Sequence, residues 1–381
     1  MAAPVAIVAG YLAGNPVGGH VLSILHWLSG LRRLGYDVVF VEHHGWADAC
    51  WNPRTRTLSD DCSYGLVELS GHARRLGLRG WCFVDRQGGY HGLRKDELAA
   101  LCRDADVLVG LWTVTWLDAF AACRRRLFID TDPGFTQFAM TPGVPAAPGY
   151  ASPFDFHEHY SYGTRIGQPD CPIPTHGLTW KPLRPPVDLD VVAVRETPAG
   201  ASYTTVMAWS SRPPVVYEGV EYGQKDVEFW KIAALPSVSP VPLEIALGGR
   251  APYKAIREAG WRLADAAAVT ATPWTYLDYI AGSRGEFSVA VNLEVKTRSG
   301  WFSDRTAAYL ASGKPAVVQD TGFSADLPCG EGLLAFTTVD EAAAAIAEVE
   351  RDYPRHARAA RRIAEQHLDA RRIVARVLAG G

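Results

Sequence analysis

The sequence predicts an α/β protein of two halves, each built on a parallel sheet. Three observations predict it. The chain has 381 residues, more than the ~250 at which single cores stop growing. Residues 5–41 read as strand, glycine-rich loop, helix and strand. A second series of strands and helices begins at Thr204, after a stretch rich in proline and aromatics.

The elements follow in order. Val5–Ala9 is a short apolar run bounded by Gly10, Gly14, Gly18 and Gly19. Leu22, Leu25, Leu28 and Leu31 then recur on one face of a helix over 21–34, with Gly35 placed to end it. Residues 37–41 make a second buried strand, and a strand–helix–strand unit implies parallel pairing. Residues 97–103 look helical, and Val107–Leu111 and Arg126–Asp130 read as buried strands. Residues 133–200 show little periodicity and are expected to form long loops over a cleft, with 182–200 as the interdomain linker. Strands are expected again at 204–208, 243–247, 287–291 and 315–319, with a helix over 303–312 stopped by Gly313. The tail over 339–378 reads as a helix, a break near Pro354 and an arginine-rich helix. No fixed-period repeat is present.

Composition narrows the function. Hydrophobic residues make up 48% and charged residues 21%, ordinary for a globular protein. The formal net charge of -3 gives no basic excess for a phosphate backbone, so nucleic acid is not an expected partner. No run approaches the ~18 apolar residues of a membrane span. The apolar start lacks a basic leader and reads as a first strand. Seven cysteines, an odd number without a Cys-x-x-Cys pair, argue against zinc and point to a reduced cytoplasm.

The motifs lie at the two ends of the chain. Residues 300–322 run as a small loop, a helix closing on Ala311-Ser312-Gly313-Lys314-Pro315, a valine-bearing strand and a loop with Gly322. Pro273-Trp274-x-Tyr276 and Tyr279-Ile280-Ala281-Gly282-Ser283 lie just upstream. Gly18-Gly19-His20, then Leu34-Gly35-Tyr36-Asp37-Val38, open the chain. Together these resemble the bacterial group 1, family 4-like glycosyltransferases of the GT-B fold.

The resemblance implies two Rossmann-like domains with parallel sheets facing each other across a cleft. It makes residues 1–190 the acceptor-binding domain and 203–353 the nucleotide-sugar-binding domain. Residues 354–381 become a helix crossing back to the first. The implied co-substrate is a nucleotide-diphosphate sugar, with no other cofactor. The implied acceptor is a small molecule, such as a natural product. Oligomeric state is left open. One departure matters: the Glu-x7-Glu positions of many retaining members fall on Gly300 and Ala308. The nearest carboxylate is Asp304, so those contacts do not carry over and inversion is expected.

The residues suggest the chemistry. Ser303 suits the N-cap of the 304–312 helix. The backbone from Phe302 to Arg305 can then offer free N–H groups to a diphosphate. Arg305 would add a bidentate contact, and Asp304 would meet a ribose or sugar hydroxyl. A capped surface helix with a local Asp–Arg pair is the alternative. The base is expected near Trp274 and Tyr276, with Trp209, Ser210, Thr321 and Gly322 around the donor. Gly18 and Gly19 allow close backbone approach to a ligand, or make only a tight turn. His20 is the candidate general base, kept neutral at a helix start, or else a structural histidine.

Asp130-Thr131-Asp132 copies a metal-binding Asp-x-Asp triplet without its usual surroundings. Asp132 is expected either to orient His20, to act as base itself, or to make an Asx-type turn. No metal site is expected. His157 and His159 lie in an aromatic stretch, read as an acceptor-side loop or a packed one. Lys225 reads as a solvated surface lysine. Two other functions compete with glycosyl transfer. One is a nucleotide-sugar 2-epimerase, for which the strip offers mainly Asp304 and Asp320. The other is a non-catalytic sugar-nucleotide-binding subunit.

Overall fold

A computed structural model describes residues 3–112, 114–141 and 150–381. They form two sheets of the doubly wound kind. The first runs Trp180–Pro182, Glu158–Ser161, Arg126–Asp130, Val107–Leu111, Val5–Ala9, Asp37–His43, Gly80–Val84, Tyr90–Gly92 across its width. All neighbours are parallel except the last pair. The second runs Arg262–Asp265, Leu243–Gly248, Tyr203–Ala208, Gly285–Ser288, Ala316–Gln319, Leu333–Phe336, and is parallel throughout.

In each sheet the chain order reverses beside the half's first strand. The reversal lies between Val5–Ala9 and Val107–Leu111 in one, and between Tyr203–Ala208 and Gly285–Ser288 in the other. Ligands of open parallel sheets bind beyond the carboxyl ends of strands at such points. Apolar residues fill both faces, as continuous runs such as the fully buried VAIVA of the first strand require.

Three expectations need correction. The 133–200 stretch is not loop throughout. Glu158–Ser161 and Trp180–Pro182 extend the first sheet, and residues 142–149 lie outside the described residues. The tail holds three helices, Val339–Arg351, Tyr353–His367 and Ala370–Ala379. Asp352 and Asp369 cap the second and third by accepting the N–H groups of Arg355 and Arg372. Pro354 sits inside the first turn, where its missing N–H costs nothing. Cys50 and Cys62 are not separate thiols but a disulfide. The hairpin of Cys50–Asn52 and Thr57–Ser59 folds back and brings Cys50 to the residue preceding helix Ser63–Leu76.

The tail crosses between the halves. Tyr353–His367 packs on helix Asp304–Ala311, and Ala370–Ala379 packs on the opening helix Gly18–Arg33. Leu368 O accepts from Val187 N–H at 2.7 Å at the crossing. Arg125 and the Tyr160 hydroxyl then reach carbonyls of Val377 and Leu378. No helix is long and apolar enough to cross a membrane among the described residues.

Candidate active site between the two sheets

The loop after the first strand is built on a buried carboxylate. Glu42, at the end of strand Asp37–His43, accepts the N–H groups of Leu12, Ala13 and Gly14 at 2.8, 2.7 and 2.7 Å. His44 Nε2 lies 2.6 Å from Oε1, the oxygen that also takes Gly14 N–H. A carboxylate holding three amides is a strong brace, since hydrogen bonds to charged groups are worth ~1.5–3 kcal/mol each. Glu42 was missed in the sequence, although an acid closing an apolar strand is a readable signal.

His20 follows this loop, in the first turn of the opening helix. Its Nε2 is held by the Tyr11 carbonyl, and its ring stacks on Trp112 with centroids 4.5 Å apart. Trp112 has φ +62°, an unusual conformation for a bulky residue. Burial pushes the imidazole below its ordinary 6.5, which keeps it neutral. With Nε2–H donating to the carbonyl, the acceptor of the neutral ring is Nδ1.

Asp132 does not orient His20. It pairs instead with Arg212 of the second half at 2.7 Å. Arg212 follows strand Tyr203–Ala208 and also lies over the Phe135 ring. Asp130 is buried and accepts from Thr136, Gln137 and Ser161. The Asp-x-Asp triplet is therefore split between a core network and an interdomain pair.

Lys225 is a half-buried residue in the cleft and not a solvated surface lysine. Burial, then the nearby Arg305, lowers its pKa to about 7, against the attraction of Glu286, Asp132 and Asp304. Asp304 is raised to about 6, by burial first and by Asp132 among its neighbours. Ser303 caps helix Asp304–Ala311, its hydroxyl accepting from Arg305 N–H at 3.2 Å.

Arg305 is engaged by the second sheet. Its Nε donates to Glu286 at 2.6 Å and Nη1 to the Val206 carbonyl at 2.8 Å. Both side chains are buried, 9% and 0% exposed. Its Nε and Nη1 are thus taken up by Glu286 and Val206 of strands Gly285–Ser288 and Tyr203–Ala208, so the bidentate diphosphate contact is withdrawn.

The remaining candidates divide. Ser210 lies beside Arg212 and accepts nothing from the core, donating to the Arg212 carbonyl at 3.4 Å. Trp209 is buried against Phe229 and Trp230, and Phe302 against Phe323. These are packing residues. Thr321 bonds the Trp301 carbonyl at 2.6 Å.

Gly18 and Gly19 face protein, not open cleft. A Cβ on Gly18 would lie 2.3 Å from Thr272 O, and one on Gly19 3.1 Å from the Tyr276 ring. Gly18 N–H is spent on Thr270 O. Their small size admits the second half, which corrects the ligand-approach reading. Tyr276 is thereby covered, and Trp274 lies under the Arg75 guanidinium at 3.9 Å. A Cβ on Gly322 would meet Arg165 Cδ at 2.7 Å, so this glycine too serves the interdomain contact. The His157–His159 segment leads into the inner strand Glu158–Ser161: His159 is buried against Trp180 and bonds the Pro153 carbonyl.

The site thus joins His20 and Asp132 from the first half with Arg212, Lys225 and Asp304 from the second. Among the described residues, no group of three or more His, Cys, Asp or Glu side chains is gathered as metal ligands.

No family model and no curated protein sequence matches the chain. Solved structures do match along the full length. An α-glucosyltransferase in complex with UDP and a 13-mer DNA is similar at TM-score 0.59 and 12% identity, over 99% of both chains. Anabaena HepE in complex with UDP-glucose follows at 0.56 and 14%, over 99% of this chain and 100% of that one. AviGT4, a glycosyltransferase involved in avilamycin A biosynthesis, gives 0.52 and 17%, over 100% and 99%. The chain has the GT-B fold of these glycosyltransferases.

Proposed function

We propose that this protein is a glycosyltransferase that moves a sugar from a nucleoside diphosphate donor to a small-molecule acceptor with inversion. One observation carries the reading. Asp132 stands at the carboxyl edge of the first sheet, within electrostatic reach of His20 on its own side and of Lys225 and Asp304 on the other. A general base and a cationic group thus share one cleft, as displacement of a diphosphate needs.

In this reading the donor lies on the second half, residues 203–353. Lys225 and Arg212 take the diphosphate, the N-terminus of helix Asp304–Ala311 adds its dipole, and Asp304 meets a hydroxyl. The first half, residues 1–190, presents the acceptor, and 354–381 ties the two. His20 takes the acceptor's proton through Nδ1. UDP is the preferred nucleotide, since two of the similar structures hold UDP or UDP-glucose. The AviGT4 likeness favours a natural-product acceptor, and the DNA in another makes nucleic acid the competing acceptor. No metal is assigned a part, because Asp130 and Asp132 are engaged by protein groups.

The test is incubation with UDP-, dTDP- and GDP-sugars, with and without an acceptor mixture. Acceptor-dependent release of nucleoside diphosphate is expected. Conversion of the donor without acceptor would favour a 2-epimerase. Binding without any turnover would favour a non-catalytic subunit.

A further inference from the structure

A cavity of about 540 Å³ lies away from this site, where the tail crosses between the halves. Its size is that of a small-ligand pocket. Thr164 and Arg184 line it from the first half, Asp326 from the second, and His367, Arg372 and Arg376 from the tail.

The charges in it are unevenly matched. Arg184 is 92% buried, being 8% exposed, and donates to Gly300 O and Asp326, both at 3.2 Å. Asp326 also takes the Thr164 hydroxyl at 2.8 Å. Asp369 is used as a helix cap. Arg372 and Arg376 donate only to the carbonyls of Glu365 and Pro182, at 3.3 and 3.4 Å. Among the described residues neither has a carboxylate partner. The imidazole of His367 is lowered by burial, then by Arg184 and Arg372, as a locally positive field requires.

We propose that this cavity binds a small phosphate-bearing anion, held by Arg372 and Arg376 at the mouth and by Arg184 at its base. Arg372 and Arg376 are planar guanidiniums without carboxylate partners, the kind of group that recognises phosphate oxygens in pairs, while Arg184 is shared with Asp326. The site is separate from the transfer site. Residues 300–301 divide them: Gly300 O faces Arg184, while Trp301 Nε1 donates to Thr131 O at 3.1 Å beside Asp132. An anion here would fasten both halves and the tail together and bear on that partition.

The experiment titrates inorganic pyrophosphate into the full chain by calorimetry, in the wild type, in R372A/R376A and in K225A. Both arginines are exposed, so the double variant keeps its fold, which a matching thermal midpoint confirms. Binding is expected to weaken roughly tenfold per lost guanidinium in R372A/R376A and to persist in K225A. Orthophosphate, which spans fewer donors, is expected to bind more weakly than pyrophosphate. Unchanged binding in R372A/R376A overturns the proposal, as does loss in K225A alone, which would place the anion in the transfer site. Absence of wild-type binding at millimolar pyrophosphate overturns it as well. Unchanged binding in R372A/R376A, or loss in K225A alone, leaves the glycosyltransferase reading standing, because pyrophosphate would then sit with Lys225 at the donor site.

Discussion

Asp132 and Arg212 meet at 2.7 Å across the cleft, one from each half, and each stays about half exposed, 42% and 49%. An exposed pair of this kind is worth only ~0–1 kcal/mol of stability. Its place therefore points to function. Arg212→Ala should leave the urea midpoint nearly unchanged and weaken UDP binding by about 1.5–3 kcal/mol, the range for a hydrogen bond to a charged group. Unchanged UDP affinity by calorimetry would remove Arg212 from the donor site.

His20→Ala should lower turnover by ~10²–10⁴-fold, the usual contribution of a general base, while UDP affinity stays as in the wild type. The pH profile carries a sign. The neutral ring is the active form, and burial lowers its pKa, opposed by the Tyr11 carbonyl, Glu42 and Asp132. Activity should rise with pH along a limb lying below 6.5 and be flat at neutrality. An acid limb above 7 would point to another base. The product anomer, read by NMR, should be inverted.

Lys225 should report donor binding through a proton. Its pKa of about 7 lies below the ordinary 10.5, and a bound diphosphate would raise it. At pH 8, UDP binding should take up protons, measured as a dependence of the calorimetric heat on buffer ionisation enthalpy. Lys225→Met should abolish it. The linkage to folding runs the same way. Between about 7 and 10.5 the unfolded chain binds the extra proton, so Lys225 makes stability rise with pH there. The Met variant should lack that slope in urea titrations.

Arg305→Ala should act on stability and not directly on the donor. It strands Glu286, fully buried, without its cation. Breaking one partner of a buried pair costs about 3–5 kcal/mol, read as a drop in the urea midpoint. The double variant Arg305→Met/Glu286→Leu should recover much of it. A stable Arg305→Ala protein with impaired UDP binding would be falsifying.

What was legible followed the range of the interaction. The buried strand Val5–Ala9, the helix with Leu22, Leu25, Leu28 and Leu31 on one face, and Ser303 as cap are all written within a few neighbouring residues. The doubly wound pattern follows from such units. What failed depends on partners far along the chain. Arg305 beside Asp304 looked like a free cation, because Glu286 and Val206 are brought beneath it only by sheet order. Gly18 suggests an open loop until Thr272 is seen against it. Lys225 gains its shifted proton affinity from groups of both halves. The break expected near Pro354 falls at Asp352, whereas the second break, capped by Asp369, carries a local signal in that residue.

The crossing of the tail sets an order of events during synthesis. Helix Ala370–Ala379 lies on the opening helix Gly18–Arg33 and gives its carbonyls to Arg125 and Tyr160. Domains made first ordinarily fold first on the ribosome. Here the core of the half begun at Val5 takes in Ile373, Val374 and Val377, so it lacks a wall until Val377 has been translated. Until then the opening helix lacks the packing of Ala370–Ala379 along one face.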